Sequence, residues 1–200
     1  MLDYTYCDPI LTPKKHSIQS ASSLLELQQQ ILNCHLCDCS KSRTQSMPGY
    51  GAKNADVVFV DYTISELQDS TNSYYSGRSG ELLQKMIENM LHLTIEDVYL
   101  TALLKCKALP NAPLQNAIEC CKGYFLTQLQ LIQPKVIVLL GEESYYALFG
   151  THKKFEDIRG HLLDFEGVKT IAMYHPSYLL RNPNLKKTAF YDLKTIKSCL

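Results

Sequence analysis

The side chains in this chain best suited to chemistry are cysteines. Cys34 and Cys37 form a Cys-x-x-Cys pair, Cys106 stands far downstream, and Cys120 and Cys121 follow as a doublet. One close pair and two remote singles bring four thiolates from three separate segments. Such a quartet suits a 4Fe-4S cluster or tetrahedral zinc, since both take four sulfur ligands, and disulfides are the third reading. Spacing alone does not choose between Cys120 and Cys121. Cys7, Cys39 and Cys199 read as inert buried or surface thiols, as does whichever member of the doublet is left over.

Elements must position these thiols, and the chain is long enough to supply them. Its 200 residues, 46% of them hydrophobic, can bury one sizeable core without covalent staples. Twenty basic and twenty acidic residues balance, which gives no support for a strongly polyanionic partner but permits a local basic patch. Residues 1–20 lack a continuous apolar run, and Val136–Gly141 is too short to span a bilayer, so a soluble cytoplasmic monomer without membrane contact is expected. Residues 1–21 read as an N-terminal extension and 22–200 as one domain. Leu24, Leu27 and Ile31 recur at helical spacing and run into Cys34. Strands are expected over 55–60, 98–104, 136–140, 161–165 and 169–173, and helices over 79–91, 114–133, 143–149 and 185–199, with a long polar loop at 63–78 and a second loop at 175–183. This alternation, without a dinucleotide glycine fingerprint, predicts an α/β fold: a three-layer α/β/α sandwich around a mostly parallel sheet. Ligands in such sheets bind where the strands end, which directs attention to the loops after Val60, Leu104 and Met173.

Those loops resemble the family 4 uracil-DNA glycosylases, the iron-sulfur branch of their superfamily, over nearly everything after residue 22. Cys34-His-Leu-Cys37 looks like the family's first ligand pair, Leu104-Lys-Cys106 like its third ligand, and Cys121 falls at the spacing of the fourth. The resemblance therefore implies a 4Fe-4S cluster on Cys34, Cys37, Cys106 and Cys121. Tyr174-His-Pro-Ser-Tyr-Leu-Leu-Arg-Asn-Pro183 is similar to the family's His-Pro-Ser motif almost letter for letter. It implies DNA as partner and base-excision repair as activity, by hydrolysis of the N-glycosidic bond of a flipped base. His175 would stabilise the departing base anion and Ser177 would donate to a phosphate. Tyr178, Leu179, Leu180 and Arg181 would form a wedge with a basic end that enters the stack. Gly77-Arg-Ser-Gly80 would cradle a phosphate on free amides aided by Arg78 and Ser79, and Tyr75 would stack on the base.

Two positions depart from the family. Where its Gly-Glu-Ala-Pro-Gly is expected the chain reads Asp61-Tyr-Thr-Ile-Ser65, so Tyr62 stands for the glutamate that positions water, and Asp61 is a substitute carboxylate one residue early. The asparagine that reads the base edge is replaced by Ala102, whose neighbour Thr101 should face the other way. Two readings follow: a glycosylase with a rebuilt pocket, or a catalytically inactive or altered-specificity relative that keeps the cluster and DNA binding. A third, a partner-binding domain without nucleic acid, draws on the neutral net charge.

Overall fold

The structure is a computed structural model that describes residues 21–109, 114–150 and 153–200. The extension expected at 1–21 and the end of the loop before residue 114 therefore lie almost wholly outside the described residues. In chain order the elements are α1 (Leu24–Leu32), β1 (Tyr50–Gly51), β2 (Val57–Asp61), α2 (Glu66–Thr71), α3 (Gly77–Met86), β3 (Tyr99–Ala102), α4 (Leu114–Ile132), β4 (Val136–Leu140), α5 (Glu142–Phe149), α6 (Phe155–Ile158), β5 (Leu162–Phe165), β6 (Val168–Met173), α7 (Pro176–Arg181) and α8 (Lys186–Lys197).

Among the described residues the strands form one sheet in the order β1-β3-β2-β4-β6-β5. The four inner strands run parallel, and the edge strands β1 and β5 pair antiparallel. β2 and β4 are fully apolar until Asp61, as strands covered on both faces must be. Their side chains alternate between two cores. Val58, Val60, Ile137 and Leu139 meet α1, α4 and α5 on one face, whereas Val57, Phe59, Val138 and Leu140 meet α3, α7 and α8 on the other. The expected three-layer sandwich is thus observed. β5 and β6 form a hairpin turned by Glu166 and Gly167, both with positive φ (53° and 80°), the geometry a two-residue turn demands. No helix among the described residues is long and apolar enough to cross a membrane.

The loops differ most from expectation. The stretch 63–78 is not a plain loop, because it contains α2, nucleated by a capping box in which Ser65 and Gln68 satisfy each other's backbone amides. α3 starts at Gly77 rather than Ser79, so Gly77, Arg78, Ser79 and Gly80 form its first turn instead of preceding it. The region 175–183 is also helical. Pro176 at the first position of α7, with the His175 side chain capping through Ser177 N–H, starts a helix that the run of loop-forming letters concealed.

α1 holds the cysteine segment through Leu27, which is fully buried between α4 and the sheet core. Leu27→Ala is expected to destabilise the fold by about 2–5 kcal/mol, the cost of a cavity that a rigid interior cannot close. A urea midpoint unchanged from the parent would show that this layer is dispensable.

Candidate functional site

Parallel pairing brings the carboxyl ends of β2, β4 and β6 side by side, with Val60 opposite Leu139 and Leu140 opposite Met173. Asp61 and Tyr62 leave β2 there, Gly141 leaves β4, and Tyr174 and His175 leave β6. The three exits enclose a cavity of about 440 Å³ lined by Asp61, Tyr62, Glu143, His175, Tyr178 and Arg181 among others. A second cavity of about 240 Å³ shares Asp61, His175 and Ser177 and reaches Tyr74, Ser79 and Gly80 at the start of α3. Since α3 and α7 pack against each other, the exposed Arg78 and Arg181 flank the paired cavities from adjacent helices.

His175 is fixed on both ring nitrogens. Its Nδ1 accepts from the Ser177 backbone N–H at 3.1 Å and lies 2.6 Å from Ser177 Oγ. A backbone amide can only donate, so Nδ1 is the acceptor and the proton resides on Nε2. That nitrogen lies 3.2 Å from Asp61 Oδ2. Asp61 is itself oriented, since its Oδ1 accepts the Tyr62 N–H at 2.7 Å. Burial alone would lower the proton affinity of His175. The hydrogen bond and charge of Asp61, with the charge of Glu143, outweigh burial and raise it, against opposition from Arg181. Asp61, expected as a substitute carboxylate, therefore does face the cavity, and it does so as the partner of His175.

Other residues settle differently from expectation. Leu179 is 1% exposed and belongs to the core beneath α7, so it is not part of a wedge. The helical turn presents Tyr178 and Arg181 outward at i and i+3 while Leu179 anchors the turn. Tyr178 stacks on Tyr174 with ring centroids 5.4 Å apart, and Arg159 lies over the other ring at 5.1 Å. Ser177 is spent on His175 rather than standing free for a phosphate. Tyr75 does not line the His175 cavities. It lies edge-on to Tyr50 in a separate cavity, because its backbone closes so tightly on Gly80 that a Cβ there would come within 2.2 Å of the Tyr75 carbonyl carbon. Its neighbour Tyr74 lines the second cavity instead, held by a hydrogen bond from its hydroxyl to Met47 O at 2.9 Å. Ala102 is buried with no polar side chain to offer. Thr101 faces the opposite core, where it bonds Gln128 at 3.0 Å and accepts from Lys105 Nζ at 2.6 Å.

The cysteines gather on the α1 and α4 side. Cys34, Cys37, Cys39, Cys106 and Cys121 are free, buried thiols. Cys121 is raised to about 12, first by burial and then by the charges of Cys106 and Cys34, whereas Cys37 also feels Cys121. Arg43 bridges two of the contributing segments, donating to Cys106 Sγ at 3.1 Å and to Cys34 O at 2.7 Å. Asp69 of α2, 1% exposed, accepts from Thr44 N–H and Oγ1 and so fixes the residue after Arg43. Lys105, also 1% exposed, donates at 2.6 Å to Thr101 Oγ1, Ala102 O and Gln128 Oε1, tying the end of β3 to α4. Cys39, expected as an inert thiol, is buried and free. Its neighbour Cys37 is raised, first by Cys39 and then by burial, whereas Cys39 is lowered by Cys37. Cys120 is buried and is not one of the free thiols.

Among the described residues no group of three or more His, Cys, Asp or Glu is arranged to hold a metal ion. The donor chemistry fits a larger inorganic centre. Its thiols are soft, shielded from solvent and close enough to feel one another's charge, and Arg43 supplies an N–H to sulfur. A four-iron cluster is bigger than one ion, so its ligands stand farther apart than those of tetrahedral zinc.

Residues 48–194 match the Uracil DNA glycosylase superfamily. Over 183 residues the chain is 33% identical to the type-4 uracil-DNA glycosylase of Archaeoglobus fulgidus, a match spanning 87% of this chain and 92% of that protein. It is 30% identical to the type-4 enzyme of Sulfurisphaera tokodaii, over 88% of this chain and 84% of that one. The Thermotoga maritima type-4 enzyme is 31% identical, over 88% and 94% respectively.

The raised proton affinity of His175 has a definite sign. A histidine raised above its ordinary 6.5 contributes stability that is fully present below that value and is lost as pH climbs through the folded-state value. Asp61→Asn should therefore bring the His175 titration down, read from its imidazole NMR shifts, and remove this part of the pH dependence of unfolding. An unchanged titration would show that Asp61 does not govern the ring.

Proposed function

The chain belongs to the uracil DNA glycosylase superfamily, in its type-4 branch, and from that premise we propose that it binds DNA and hydrolyses the N-glycosidic bond of a flipped uracil or related damaged base. The observation that carries this reading is His175, fixed through Ser177 and Asp61 where three strand ends meet a cavity.

Breaking the bond between base and sugar leaves negative charge on the base and positive character on the sugar. A donor already oriented needs no reorganisation when the charge appears. The Nε2 proton of His175 is that donor: in the free protein it points at Asp61, and the arriving base oxygen competes for it. Asp61 accepts the hydrogen bond from that proton in the free protein and keeps the ring in the tautomer that donates from Nε2. Tyr74 supplies an aromatic wall, and the first turn of α3, with Ser79 and Gly80 lining the second cavity and no side-chain cap at Ser76, leaves amides for a phosphate. Arg78 and Arg181 neutralise flanking phosphates, and Tyr178 is the exposed ring available to the opened stack. Without an amide at Ala102, discrimination by base edge weakens by about 1–3 kcal/mol relative to a paired contact.

Cys34, Cys37, Cys106 and Cys121 would hold a 4Fe-4S cluster. Bound there, it supplies strong bonds joining the α1 loop, the end of β3 and α4, with a capacity for electron transfer that the glycosidic step does not use. Arg43 holds Cys106 through its N–H to the sulfur.

Uracil-containing oligonucleotides, single- and double-stranded, are expected to yield alkali-labile sites. His175→Ala should cost about 10²–10³-fold in rate while leaving salt-sensitive DNA binding intact. Binding without cleavage of any uracil substrate would reject the hydrolytic reading, and absence of binding at low salt would reject both. Protein prepared anaerobically should contain iron and sulfide, and Cys106→Ser should lose them. Stoichiometric zinc in a colourless protein would overturn the cluster assignment.

A further inference from the structure

One chemical role in this site has no residue. Tyr62 occupies the position of the glutamate that would handle the attacking water, and a phenol cannot act as a carboxylate does. The cavity nevertheless has four carboxylates along its wall: Asp61, Glu142, Glu143 and Glu156. They are not equivalent. Asp61 has Oδ1 on the Tyr62 N–H and Oδ2 facing His175 Nε2 in the free protein, so its place is to orient the ring. Glu142 and Glu156 both bear on the Tyr146 hydroxyl. Glu143 makes no hydrogen bond among the described residues, yet its charge reaches both His175 and Tyr62.

Its place next to the histidine is set by Gly141. This residue has φ +91°, a conformation that side-chain-bearing residues rarely adopt, and the missing Cβ would lie 3.2 Å from His175 Cβ and 3.3 Å from Glu143 Oε2. The glutamate carboxylate and the histidine side chain therefore both lie against the space that a side chain at Gly141 would fill. Neither Tyr62 nor any residue of β2 is needed to bring them together.

We propose that Glu143 is the general base of this glycosylase, holding the attacking water in place of the residue at position 62. The proposal rests on the glycosylase reading given above. In the step, the water oxygen bonds to C1′ of the sugar while a water proton passes to the Glu143 carboxylate. The C1′–N1 bond breaks, its electron pair leaves with the base, and the charge on the base oxygen is met by the Nε2–H of His175. Transfer of the proton from Glu143 to the released base, directly or through solvent, restores the carboxylate. One water is consumed, and an abasic sugar and a free base are formed.

A blander role for an acid here is to sit against the positive end of α5, since Glu143 lies in its first turn. Glu142 shares that position and serves as the control. Single-turnover excision from a uracil-containing single strand is measured for the parent, Glu143→Gln, Glu143→Asp and Glu142→Gln, with rate profiles from about pH 5 to pH 9 and DNA affinity alongside. Glu143→Gln should lose about 10²–10⁴-fold in rate and the acid limb of its profile, with DNA affinity unchanged. Glu142→Gln should keep most of the rate. Glu143→Asp keeps the charge but shortens its reach, so it should also lose most of the rate. A parent that excises while Glu143→Gln does so equally overturns the proposal and leaves the glycosylase reading standing. Full activity in Glu143→Asp, or equal loss in Glu142→Gln, assigns the effect to the helix end and overturns it as well. A parent that binds but never excises overturns both.

Discussion

Everything chemical in this protein depends on the parallel hydrogen bonding of β2, β4 and β6. Their backbone groups lie between two apolar layers, where an unpaired amide or carbonyl is costly, and one register satisfies them. A slip of one residue would turn Asp61 into a core and Phe59 toward the opposite layer. With the register fixed, Asp61, Gly141 and His175 emerge at one rim although they are far apart in sequence. The backbone amide of Leu103 extends this order by donating to Asp61 O at 2.8 Å, which also draws the Cys106 segment toward the same strand.

The two functional regions occupy different layers and are joined through β3. On one face, Thr101 and Lys105 connect the strand to Gln128 of α4 beside the cysteines. On the other, Ala102 belongs to the core shared with α3 and α7, the helices that carry the basic rim. β3 thus contributes side chains to both cores, one holding the cysteines and the other lying under α3 and α7.

The sheet was legible because its strands are short, continuously apolar and bounded by polar or glycine residues, and 136–140 agrees residue for residue with β4. The capped helices were less so. α2 depends on a reciprocal Ser65–Gln68 contact that leaves little hydrophobic periodicity, and α7 is only six residues long and hidden behind a proline that also reads as a turn. His175 and the cysteines could be found from spacing and resemblance. The aromatic assignment could not: Tyr74 and Tyr75 are adjacent and chemically identical, and the choice between them is made by backbone contact with Gly80. Glu143 was invisible for a related reason, since a helix-start acid is common and only the left-handed Gly141 beside it brings it to the histidine.

Arg43 changes how the sulfur site should be regarded. One guanidinium spans the carbonyls of Leu32 and Cys34 and the sulfur of Cys106, so two of the three ligand segments are clasped by ordinary hydrogen bonds. Those segments are therefore joined by more than their cysteines, because Arg43 couples the α1 loop to the end of β3. The four thiols are at most 9% exposed, so this coupling lies beneath the surface. A change at Arg43 would therefore loosen the α1 loop from the end of β3 without touching a cysteine.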